Sequence, residues 1–133
     1  MIRSHAASAV SPAVVTLLRV LAALSVLMIV VQGVSAGEIL SRSATALMLH
    51  AGGAIVVHVL TGLTAIAAFL VVRATGGPWW PSILAAALFA VTFLQAALGS
   101  GGVMAVHVPL AMICLVGAVW LLVWSFAAGR TRA

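Results

Sequence analysis

The chain has 133 residues, of which 65% are hydrophobic and 5% charged. Soluble domains carry about 25% charged residues, so composition excludes an ordinary water-soluble fold. The net charge of +5 rests on six arginines and one acid, Glu38. The arginines punctuate the ends of apolar runs instead of clustering on one face, so they predict membrane topology and exclude nucleic-acid binding. Lys, Asp, Asn and Tyr are absent, a usage that suggests a GC-rich bacterial genome. Cys114 is the single cysteine; it permits no disulfide or thiolate metal site within one copy and reads as a small packing residue.

In chain order, Met1 to Ser11 is a polar tail holding Arg3 and His5, with His5 solvated and idle. The first predicted helix covers residues 12–36, starting at Pro12 and broken only by Arg19. From Val20 to Ala36 there are 17 uncharged residues, at the short end of a membrane span. Arg19 snorkels to the interface with its stem buried. Val34-Ser35-Ala36 satisfies the small-residue rule of a signal-peptidase site, but the apolar region is long for a signal, so a retained helix is expected.

A loop over 37–43 holds Glu38 and Arg42. The second helix is predicted over 44–72, long enough to tilt or to project beyond a bilayer. Arg73 to Pro78 is the next loop, and Trp79-Trp80-Pro81 joins an interfacial aromatic anchor to a helix-starting proline. The third helix is predicted over 81–98. Gly99 to Gly102 reads as a tight turn, and the fourth helix covers 103–127.

Four spans with short links predict an all-α fold: a single domain over 1–133, an integral membrane up-down-up-down four-helix bundle. Gly52, Gly53 and Gly62 allow close helix approach. Arg3, Arg19, Arg73, Arg130 and Arg132 fall on one side and Arg42 on the other. The positive-inside rule then places the protein in the inner (plasma) membrane with both termini cytoplasmic.

Polar side chains inside spans carry a functional expectation by default. Gln32, His50, Gln95 and His107 fall at one level near the outer face. His50 lies 23 residues before Arg73, and His107 lies 23 before Arg130, so two parallel helices present both imidazoles at similar depth. His58 is about 12 Å deeper and rotated by about 80° from His50, so those two cannot share a metal. The two halves also form a weak repeat: a helix with Gln near its outer end, then a helix with His near its outer start.

Two imidazoles at matching depth on facing helices suit a b-type haem, whose iron takes axial histidines in an apolar slot. Arg42 and the Gln32 and Gln95 amides are candidates for the propionates. The competing expectation is that each histidine only hydrogen-bonds a neighbouring helix. A structural zinc site is disfavoured, because three separated histidines give few of the four ligands it needs. The chain has no phosphate-binding glycine motif, no Ser-His-Asp set and no CxxC pair, so no catalytic residue is assigned.

His58-Val59-Leu60-Thr61-Gly62, followed by an apolar run, resembles the second helix of one half of a haem A synthase, where His-Arg-x-x-Gly is found. Gln95-Ala96-Ala97-Leu98-Gly99, with His107 in the next helix, resembles the same half's Gln-x-x-Leu-Gly and second ligand. The resemblance implies a four-helix haem bundle with His58 and His107 as the ligand pair. Val59 replaces the family's Arg, and Ile55 stands where its Glu is expected. The spacing of His50, His58 and His107 also resembles small four-helix membrane proteins of actinobacteria. Depth matching points to His50 with His107, the resemblance to His58 with His107. The functional expectation is a membrane haem protein moving electrons, with other membrane or respiratory subunits as candidate partners; the alternative is a haem-free structural or accessory subunit.

Overall fold

A computed structural model describes residues 10–128, and every element in that range is helical: α1 Pro12–Leu40, α2 Ala44–Thr75, α3 Trp80–Ser100 and α4 Met104–Ala127. The tail residues Arg3, His5, Arg130 and Arg132 lie outside the described residues. All four helices are long and apolar enough to cross a membrane. At 1.5 Å per residue the shortest, α3 with 21 residues, is about 31 Å long and matches a hydrocarbon core.

Local chemistry sets the ends. Ser11 caps α1, its Oγ accepting from Ala13 N at 3.3 Å, with Pro12 in the first turn where its missing N–H costs nothing. Ser43 Oγ accepts from Ala46 N at 3.2 Å and starts α2. Gly76 ends α2 in the left-handed conformation, φ 63°, the usual helix stop. Three links are shorter than the sequence predicts. α1 runs through Gly37 to Leu40, which puts Glu38 in its last turn instead of a loop. Arg73 is the last-turn cation of α2, and Gly99 and Ser100 still belong to α3. The reason is common to all three: no proline intervenes, and the helix continues until a residue takes positive φ or a cap closes it. Arg42 (φ 61°) and Gly102 (φ 72°) provide the reversals after α1 and α3.

Each helix contacts two others, α1 with α2 and α4, and α3 with α2 and α4, so the four form a closed ring with α2 and α4 diagonal. Contacting residues run in opposite order along neighbours: Ser25 meets Thr64 and Ser35 meets His50 between α1 and α2. The core is built from small and hydroxylated groups: Ala22, Ala67, Ala68, Ala85 and Ala118 with Ser25, Thr61, Thr64 and Ser125, around Leu18, Val71 and Leu121. Each of these hydroxyls donates to a carbonyl one turn back on its own helix, as Thr61 does to Val57 O at 2.7 Å and Ser125 to Leu122 O at 2.6 Å. Ile55, Ile113 and Val116, each 66% exposed, face outward. This is the reverse of a soluble bundle, which hides its large apolar side chains.

The ring has two chemically different ends. One holds the 41–43 and 101–103 links with Gln32, His50, Gln95 and His107. The other holds the α2–α3 link and an aromatic cluster. There Trp80 lies 5.5 Å from Trp120 and 5.9 Å from Trp124, and Phe69 lies 5.8 Å from Trp79.

Candidate functional site: paired histidines at one end of the bundle

The Gln/His repeat has a physical basis. In the first half, His50 Nδ1–H on α2 donates to the main-chain carbonyl of Gln32 on α1 at 3.2 Å. In the second half, His107 Nδ1–H on α4 donates to the main-chain carbonyl of Gln95 on α3 at 3.0 Å. A carbonyl can only accept, so both contacts place the proton on Nδ1 and leave Nε2 with a free lone pair. A histidine that ligates a metal through one nitrogen commonly has the other held in this way.

The two rings meet across the ring of helices, with centroids 6.3 Å apart and planes inclined at 64°. Among the described residues no group of three or more His, Cys, Asp or Glu side chains is placed to hold a metal. Two imidazoles alone leave a bare ion under-coordinated, whereas a haem iron, with four ligands from its porphyrin, asks for two at most. The donor set therefore fits haem better than a metal held by the protein alone.

Glycines seat the polar groups. A Cβ on Gly99 would lie 3.1 Å from His107 Cε1, and a Cβ on Gly53 would overlap the Gln32 amide nitrogen. Gln32 Nε2 and Gln95 Oε1 are buried without a partner among the described residues. An unmet buried polar atom costs about 1–3 kcal/mol, so these two amides are provided with unused hydrogen-bonding capacity at the level of the histidine pair.

Of the remaining candidates, His58 lies against Phe93, with ring centroids 4.3 Å apart, and its Nδ1 is buried without a partner among the described residues. The ring beside His107 is that of His50. Arg42 occupies the exposed α1–α2 link in a left-handed conformation. Sequence reasoning missed Ser35, which was read only as part of a cleavage-site pattern. Its Oγ–H donates to Gln32 O at 3.0 Å, and its oxygen accepts from His50 Nδ1–H at 3.0 Å. The available signal was its position three residues after Gln32, on the same helix face.

Comparison with protein-family models, curated proteins and solved structures returned no match.

Proposed function

We propose that this chain is an integral membrane protein, an up-down-up-down bundle that holds a b-type haem between α2 and α4 for electron transfer. Insertion is supported by the inverted surface: Leu, Ile, Val and Phe outside, Ala, Ser and Thr inside. The observation that carries the haem reading is the His50–His107 pair, 6.3 Å apart, with both Nδ1 groups on main-chain carbonyls. In this reading His50 and His107 would hold the haem iron. The Gln32 and Gln95 amides and Arg42 serve the propionates, and His58 is not a ligand. A bound haem would supply a one-electron couple, and the main-chain carbonyls of Gln32 and Gln95 would hold both imidazole tautomers. The resemblance to half of a haem A synthase supports a haem bundle and favours His58 instead of His50, a choice the variants below decide. The arginine distribution and the aromatic end support cytoplasmic termini in a bacterial inner membrane, where other membrane or respiratory subunits are the natural electron partners.

The second reading is a haem-free accessory subunit. It is favoured by one feature: each histidine already ties two helices together through Nδ1. The visible spectrum of the detergent-purified protein, with haem titrated into the apoprotein, separates the two. The haem reading expects a bis-imidazole Soret band that is lost in His107→Ala and His50→Ala and kept in His58→Ala. Loss in His58→Ala with retention in His50→Ala moves the ligand role to His58. No band in the wild type leaves the histidines as packing groups, each worth about 0.6 kcal/mol.

A further inference from the structure

On the outer side of the α1–α2 pair, beside the His50–Ser35 contact, runs a groove of about 410 Å³. Its lining is mostly apolar, with Met28, Val31 and Leu49 among its residues, and it includes Gly52 and Gly53. Two polar groups interrupt it, Ser35 and, one turn further toward the end of α1, Glu38. The volume is in the range of small-molecule sites, about 300–1,000 Å³. We propose that this groove binds the ring of a lipid-soluble hydroquinone, with its hydroxyls on Ser35 and Glu38.

The chemistry of the two polar groups selects the ligand. The Ser35 hydroxyl proton is spent on Gln32 O, and its oxygen already accepts from His50, which leaves one lone pair. Glu38, as a carboxylate, only accepts. The groove therefore offers acceptors and no donor. A ligand that brings hydroxyl donors on an apolar ring satisfies it; the oxidised quinone, with carbonyl acceptors alone, does not. Charge weighs against the two competing occupants. Glu38 is the only acid in the chain, and as a lining carboxylate it offers nothing to a phospholipid phosphate. A second copy docked by a two-fold axis along the groove would bring one Glu38 toward the other. The proposal goes beyond the haem reading and does not require it, because the groove lies on the Nδ1 side of His50.

Gly52 gives the test. A Cβ at this position meets nothing within 4 Å, so Gly52→Leu can be introduced without a clash at the backbone and directs a side chain into the groove. Binding of a decyl-substituted benzohydroquinone and of its quinone to the full chain in detergent is measured anaerobically by equilibrium dialysis, with the visible spectrum recorded in parallel. Saturable binding is expected, with the hydroquinone favoured about tenfold, the worth of one hydrogen bond to a charged group. Gly52→Leu should lose both ligands. Glu38→Gln, which replaces an acceptor by an amide that also donates, should erase the preference. Absence of saturable binding, equal binding in Gly52→Leu, or a preference unchanged in Glu38→Gln each overturns the proposal. So does tightly held phospholipid, or a dimer dispersed by Gly52→Leu, where hydroquinone fails to compete. The spectrum reports on haem separately, so either reading can fail alone.

Discussion

Gly99 and His107 fit as seat and ring: a methyl group on Gly99 would lie 3.1 Å from Cε1 and 3.4 Å from Nδ1 of His107. The same ring bonds Gln95 O, one turn earlier on α3. The imidazole is thus held on the turn between Gln95 and Gly99, and only a residue without Cβ leaves it there. Gly99→Ala should displace the ring by a few tenths of an ångström and cost about 1–2 kcal/mol through overpacking. Gly52→Ala, which meets open space, is the control and should be neutral or stabilising by about 0.5–1 kcal/mol. Thermal unfolding in detergent and haem titration read the two effects. Equal behaviour of the two variants would show that His107 has no such seat.

The carbonyl partners predict a tautomer. His50 and His107 should both carry the proton on Nδ1, while His58, with no partner for Nδ1 among the described residues, is under no such constraint. Nitrogen-15 shifts of labelled imidazoles in the apoprotein distinguish the forms. Finding His107 protonated on Nε2 would remove the lone pair that the ligand role needs.

Much of this arrangement is legible in the sequence because depth in a bundle is a count of residues. Equal distances from Arg73 and Arg130 place His50 and His107 at one level, and their rings do meet at 6.3 Å. The pairing of each histidine with a glutamine also shows as a repeat. The acceptor, however, is the main-chain carbonyl, which any residue supplies, so side-chain reasoning aimed at the amides instead. Helix ends were harder to read. Gly37 looks like a breaker, yet inside an apolar helix it is carried along and α1 continues to Leu40, with Ser41 as its cap. Ser35 was hidden for a similar reason, since a small residue one turn from Gln32 gains its role only from what α2 brings opposite.

At the other end of the bundle, Arg19 links α1 to the end of α4. Its Nε–H donates to Ser125 O at 3.2 Å, and its guanidinium carbon lies 5.1 Å from the Phe126 ring centroid. Ser125 is in the last turn of α4, where carbonyls lack helical partners and a cation is favoured. Arg19→Leu should therefore destabilise the bundle by about 1–2 kcal/mol. Arg19→Lys should restore little of it, because the bond uses the geometry of the guanidinium. Unfolding of both variants in a mild detergent checks this; full recovery with Lys would reduce Arg19 to a point charge.

The orientation prediction uses both ends. The α1–α2 link carries Arg42, with Glu38 in the turn before it, while the α2–α3 link follows Arg73 and leads into Trp79 and Trp80. Trp80 lies beside Trp120 and Trp124 near the end of α4, so the C-terminal end of α4 is on the Arg73 side. Cytoplasmic links retain arginine, and tryptophans settle at the boundary. The Arg73 side, and with it the chain termini, should face the cytoplasm. Replacing Cys114 by Ala and placing single cysteines at Ser41 and Pro78, both exposed, gives two reporters in opposite links. A membrane-impermeant maleimide added to intact cells should label Ser41→Cys and spare Pro78→Cys until the membrane is opened. The opposite pattern would invert the protein and place the histidine pair at the cytoplasmic face. Labelling of both sites in intact cells would mean that the two links share a side, and the spanning bundle itself would have to be abandoned.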